Sequence, residues 1–252
     1  MAESSLPDEK VVDVAGPGPL KLVKVKGTDL QREYFLQADD VIIAVNGKYW
    51  SQIASIEDTV RTAIERTRRP ILATVVRENK MFSVFVSTPF PKDSLVLAGV
   101  EAKAFSEFNT AMSIAYIRTL SNYAILADGE NAADVFEMRK SFLAMVFPPL
   151  WLILRRLWEQ LAAFTCAILT AYVVHQFLGL LIYFFMCLYV GIRQVPLGLS
   201  SMQREGMKRR MVVAASDEHN AQTVALHFNE KLQFKFTNRE KADGLTIDVE
   251  IV

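Results

Sequence analysis

The chain has 252 residues, 51% hydrophobic and 22% charged, and its 28 basic side chains balance 28 acidic ones. A net charge of zero argues against nucleic acid or an acidic substrate as partner. A mean hydropathy of +0.19 suits a chain that is part soluble and part membrane, long enough for one or two domains.

The opening residues, MAESSLPDEK, lack the basic-then-apolar order of a cleavable signal, so the N-terminal part is expected to stay in the cytoplasm. Residues 1–15 are expected to be a mobile tail. The Gly/Pro loop at 16–19 then leads into a strand carrying Leu20, Leu22, Val23 and Val25. Asp39 and Asp40 precede an apolar strand at 41–45, which the Asn46-Gly47 turn closes. Ser55, with Asp58 three residues on, starts a helix whose Ile56, Val60, Ala63 and Ile64 recur on one face, and Pro70 ends it. Residues 71–77 and 81–86 alternate as two strands joined at Glu78-Asn79-Lys80, and Pro89 with Pro91 marks the expected edge of this domain.

The order of elements and the runs ADDVIIAVNGKYW, SIEDTVRTAIERT and ILATVVRENKMFSVFV resemble a PDZ domain of the bacterial HtrA-like type over residues 16–86. Such a domain adds a peptide as a strand to a sheet edge and holds its terminal carboxylate with backbone N–H groups. The resemblance implies a groove lined by Gly18, Leu20, Leu22, Val60 and Ile64, whereas periodicity alone makes Leu20, Leu22, Val60 and Ile64 core residues. Pro17 and Pro19 have no N–H to give, so a domain used for packing or docking is an equal expectation. Residues 92–134 are less legible: 111–126 can be a helix or a strand pair, and Asp128-Gly129-Glu130-Asn131 is a turn.

From Leu161 to Ile192 there is no Asp, Glu, Lys or Arg. As one helix that run would be about 48 Å long, against a hydrocarbon core of about 30 Å. Two spans, 157–174 and 179–192, reversing at His175-Gln176, are therefore favoured over one long tilted helix. Before them, 142–154 is broken by Pro148-Pro149 and is expected to lie in the interface. Its anchors are Trp151, Arg155, Arg156 and Trp158, and beyond the second span Arg193, Lys208, Arg209 and Arg210. Glu159 is expected beside Arg155 or Arg156, and His175 as a polar cap at the far side. Basic residues flank the spans and none lies in the turn, so both chain ends are expected in the cytoplasm. Cys166 and Cys187, both within this run, read as packing residues with no disulfide or metal spacing.

The order SFLAMVFPPLWLILRRLW, two spans, LYVGI and QREGMKRRMVVAAS resembles a proteobacterial inner-membrane hairpin family of unknown function over residues 135–228. That resemblance implies a location in the bacterial inner membrane and no reaction. In the tail, 211–215 reads as a strand, 218–228 as a helix, and 232–236 with 245–252 as a final hairpin. Glu250, Ile251 and Val252 have the form of a PDZ ligand, or simply end a small sheet.

His175, His219 and His227 are scattered, and no nucleophile, zinc or phosphate-loop pattern is visible, so no catalysis and no cofactor are expected. The expected fold is α+β: a PDZ-like domain (16–90), a linker (91–134), an interfacial segment (135–157), a membrane-embedded hairpin (157–193) and a small α/β cytoplasmic tail (194–252). The expected function is a membrane-anchored scaffold or accessory subunit of a larger membrane complex. The alternative is an adaptor or regulator of membrane proteolysis or protein quality control. Expected partners are the lipid bilayer, that complex, and a peptide or the chain's own tail in the groove, but not nucleic acid.

Overall fold

The computed structural model describes residues 17–234 apart from 92, 106, 107 and 109–111. The tail at 1–15, the strand at 245–252 and the candidate ligand Glu250-Ile251-Val252 lie outside the described residues.

The first sheet contains β1 (Leu20–Lys21), β2 (Val41–Val45), β3 (Lys48–Tyr49), β4 (Ile71–Arg77), β5 (Lys80–Val86) and β6 (Leu95–Val96), with α1 (Asp29–Tyr34) and α2 (Ile56–Thr67) between strands. Its order is β5-β4-β2-β1-β6, with β3 folded back on β2, and every pairing is antiparallel. Ser55 caps α2 by accepting from the Asp58 N–H at 3.2 Å, which satisfies one of the first-turn donors that a helix leaves free. All of β2 is buried because both faces are covered. Ile42 and Val45 face the main core, while Val41 and Ile43 meet Val76 and Leu97, backed by Phe105 and Phe108.

That backing corrects a domain boundary. Pro89 and Pro91 do not end the first unit: the chain beyond them returns to β1 as β6, in register Leu20↔Val96 and Lys21↔Leu95. It then continues through α3 (Gly99–Lys103) and α4 (Ile114–Ile117).

The loop before β2 is held by an ion pair. Asp40 is 1% exposed and receives both Arg77 Nε and Nη2 at 2.7 Å, with the Gln37 N–H on Oδ2 at 2.7 Å. Arg77 also donates to the Phe35 carbonyl at 3.1 Å and lies over the Phe82 ring.

The second sheet is formed by β7 (Ser121–Ala127), β8 (Ala132–Glu137), β9 (Lys208–Ala215) and β10 (Gln233–Phe234), in the order β10-β8-β7-β9. Between β8 and β9 come α5 (Phe142–Val146), α6 (Pro148–Leu154), α7 (Trp158–Val174) and α8 (Gln176–Arg204); α9 (Glu218–Phe228) joins β9 to β10. The linker expected at 91–134 therefore holds a central strand, β7, and residues 135–137 belong to β8, not to an interfacial segment. The C-terminal region is not a separate tail either, because β9 pairs with β7 from Ser121↔Ala215 to Ala127↔Lys208. Pro148 and Pro149 open α6 at its first positions, where the missing N–H groups would be unpaired in any case.

The sheets meet along β5. The Asn122 amide accepts from the Phe85 N–H and donates to the Phe85 carbonyl, both at 2.8 Å, as a neighbouring strand would. An open edge strand is thereby covered. Phe82 and Phe228 add an edge-to-face ring contact, and one hydrophobic core runs through both sheets. The end of α8 lies on this body, with Val195, Leu199 and Met202 on the core. A Cβ on Gly198 would overlap the Phe136 ring, so only glycine permits this approach.

Two outcomes follow. Asp40→Ala leaves the largely covered Arg77 guanidinium without its carboxylate and is expected to cost about 3 kcal/mol in denaturant unfolding of the full chain in detergent. Lys24→Ala, which removes only the exposed pair with Asp93, should leave the midpoint unchanged. Gly198→Leu forces α8 off β8 at a cost of about 1–3 kcal/mol. Adding Phe136→Ala should recover part of that loss in the same melt, and no recovery would mean that the ring is not the obstacle.

Candidate functional site

The long apolar run folds as two helices. His175 is extended (φ −164°) and its Nδ1 accepts from the Phe177 N–H at 3.2 Å, so it separates α7 from α8 and caps the latter. The helices run antiparallel: Phe164 stacks edge-on against Tyr183, and Gly179 lies against Tyr172. Phe164, Ala171, Gly179, Cys187 and Val190 are buried on the facing sides. The outer sides are apolar and uncovered, as in Val173 (83% exposed), Phe177 (76%) and Leu180 (67%). Among the described residues, α8 is the one helix long and apolar enough to cross a membrane by length and composition, and only 22% of its most apolar window is buried. α7 is a shorter apolar helix of 17 residues.

At the base of this hairpin the chain becomes polar. α5 and α6 pack on it through Ala144, Trp151 and Leu152, with Leu157 at the start of α7 in the same cluster. Gln194, 3% exposed, accepts from the Ser141 N–H at 2.7 Å and donates to the Gly191 carbonyl at 2.9 Å. It therefore ties the start of α5 to α8 with no amide group wasted.

Below that junction, α8, the start of β7, β5 and the end of α1 enclose an open cleft of about 790 Å³. Its apolar wall includes Phe85, Val195 and Leu199, and its cations are Arg32, Arg139, Lys140 and Arg209. Arg209 donates through its Nη atoms to the Arg32 and Glu33 carbonyls at the end of α1, and its guanidinium lies over Phe35. Its Nε is buried and has no partner. Burial lowers the Arg209 pKa, with Glu33 opposing. Tyr34, whose hydroxyl accepts from the Ser87 N–H at 3.0 Å, is pushed up by burial and stays a neutral phenol.

Residues 94–199 match the model of a family described as a protein of unknown function (DUF2628). The match covers less than half of the chain. No curated protein and no solved structure matches. No PDZ or HtrA-like family is found, so the PDZ resemblance of residues 16–86 is corrected. So is the family expected over 135–228: what matches starts at 94 and stops within α8, before β9 and α9.

The geometry shows why the groove fails. Leu20, Leu22 and Val60 are buried core residues, and Ile64 packs against that core. The β1 edge that a peptide would need is filled by β6, with the Leu97 N–H bonded to the Pro19 carbonyl at 2.9 Å. A Cβ on Gly18 would overlap the Leu97 carbonyl, so Gly18 serves that close approach.

The expected anchors divide. Trp158, Arg155, Arg156 and Arg193 are exposed around the hairpin base, with Arg155 over the Phe136 ring. Trp151 is instead a core residue, 4% exposed. Lys208 and Arg210 are exposed on β9, whereas Arg209 clamps α1. Glu159 pairs with Arg204 across the hairpin, not with Arg155 or Arg156.

The cleft escaped sequence reasoning, since its walls come from distant segments. Gln194→Leu leaves the Ser141 N–H unpartnered and is expected to lower stability by about 1–3 kcal/mol. The measurement is detergent-solubilised unfolding. Gln194→Glu buries a carboxylate facing the Gly191 carbonyl and should cost at least as much near neutral pH. Part of that loss should be recovered as the carboxyl is protonated in acid; no recovery would show that these contacts do not matter.

Proposed function

We propose that the protein is a non-catalytic, membrane-anchored scaffold or accessory unit. In this reading α7 and α8 embed in a bilayer and hold the two-sheet body at its surface. The observation that carries it is the uncovered apolar side of the hairpin. Soluble proteins rarely leave contiguous apolar patches beyond a few hundred Å² open to water, and here large apolar residues from Leu169 to Ile192 on both helices are exposed. A soluble core helix would be mostly buried; α8 is not.

The dimensions are compatible. Seventeen residues of α7 span about 25 Å. The shortfall against a core of about 30 Å costs fractions of a kcal/mol per Å and is met by local thinning. Exposed Phe142, Leu154 and Trp158 beside the base suit the interface. Arg155, Arg156 and Arg193 gather at the base and the tip carries no charge, which orients the body toward the cytoplasm. Ala162 and Ala163 on the uncovered side of α7 offer a small-residue surface for another membrane helix, which favours an accessory role. The proteolysis adaptor rested on the HtrA-like form, and no observation favours it now.

The full chain should float with phosphatidylcholine vesicles and stay with them through an alkaline carbonate wash. Release into the supernatant would refute embedding. With Cys166 and Cys187 changed to Ala, His175→Cys should react with an impermeant maleimide only from the side opposite the body. Labelling from the body's side alone would refute a span. Purification in mild detergent should bring a stoichiometric membrane partner, and a lone monodisperse chain removes the accessory role.

A further inference from the structure

The cleft beside α8 is unexplained by anchoring alone. Of its lining side chains, four are cations and one, Glu33, is a carboxylate. Among the described residues Arg32, Arg139 and Lys140 have no carboxylate within ion-pair distance. Arg209 closes the back of the cleft, its Nη atoms already on the Glu33 and Arg32 carbonyls. The exposed, unpaired Arg32, Arg139 and Lys140 are open to a phosphate or carboxylate oxygen. The opposite wall is apolar, with Val195 and Leu199 on α8 and Phe85 on β5. A small inorganic anion has no use for such a wall, whereas an amphiphile does.

Position narrows the ligand further. Arg139 and Lys140 run straight into α5, whose first residue, Phe142, is 78% exposed. Val195 follows two residues after Arg193 at the hairpin base. If the hairpin is embedded as proposed above, on which this step rests, the cleft opens at the depth of the lipid head groups. Basic pockets at that level suit anionic head groups.

We infer that this cleft binds an anionic phospholipid, with its phosphate at the exposed, unpaired Arg139 and Lys140 and an acyl chain along Val195 and Leu199. Both rim cations are exposed and unpaired, so replacing them leaves the fold intact.

The test is native mass spectrometry of the full chain in neutral detergent, titrated separately with phosphatidylglycerol, phosphatidylcholine and inorganic phosphate. Phosphatidylglycerol should bind in preference to phosphatidylcholine. The double variant Arg139→Gln, Lys140→Gln should weaken it by roughly ten- to thirty-fold. A control, Lys26→Gln with Lys48→Gln, which lie outside the cleft, should not. Equal binding of the two lipids, or unchanged binding in the rim variant, overturns the proposal. Inorganic phosphate binding as tightly as the lipid overturns the amphiphile. The titration needs no bilayer, so a chain that binds phosphatidylglycerol but fails to float refutes only the embedding. A chain that floats without lipid preference refutes only this site.

Discussion

The pairing of β7 with strands on both sides is the constraint on which the rest of the molecule depends. β8 holds one edge of β7, from Tyr123↔Glu137 to Ala127↔Ala133, and β9 holds the other, from Ser121↔Ala215 to Ala127↔Lys208. Both partners are antiparallel to β7, so they are parallel to each other, and parallel strands need a long crossover. The last turns of α8 supply it, lying on the core through Val195, Leu199 and Met202. The apolar hairpin is thus an outgrowth of a crossover and not a domain on a tether. Its seat on the body is fixed by the same side chains that close the core, and Gly198 against Phe136 sets how near it sits.

Within the single helix α8 the surroundings change near Gln194. Above it the outer side chains are apolar and uncovered; below it they face a protein core. The change coincides with two polar devices. Gln194 brings a buried amide to Ser141 and Gly191, and Pro196 removes the donor that would serve the Ile192 carbonyl. A proline inside a helix costs about 3 kcal/mol in isolation, so this one persists because packing on both sides of it holds the helix together. Polar backbone at this level suits a boundary between apolar and aqueous surroundings.

Much of the first sheet could be read from the chain because its signals are local. Ser55 with Asp58 caps α2, and Asn46-Gly47 closes the β2–β3 hairpin. The break at His175 followed from length alone. β7 was obscure because a central strand covered on both faces shows no alternation: Tyr123 to Ala127 are all buried. Arg209 looked like one of three surface cations. The ladder skips between Ile125↔Met211 and Leu126↔Arg209, so a bulge at Arg210 puts Arg209 in the place Arg210 would otherwise hold. Period-two alternation along β9 could have set one basic residue apart from its neighbours, but not which side the bulge would favour. The PDZ-like pattern misled for a related reason. It took β1 for an open sheet edge, while the segment that fills that edge lay beyond two prolines and in a strand of only two residues.

The cleft is a joint between three parts of one packed body. Arg209 ties β9 to α1, Asn122 ties β7 to β5, and α8 closes the third side. A ligand seated there would touch all three, and its binding free energy would add to the contacts that already hold Val195 and Leu199 on the body. The hairpin is continuous with that wall through α8, whose Pro196 lies between those two residues. A site at the joint is therefore placed to hold the angle between body and hairpin. A site of the same chemistry on the far face of either sheet would leave that angle untouched.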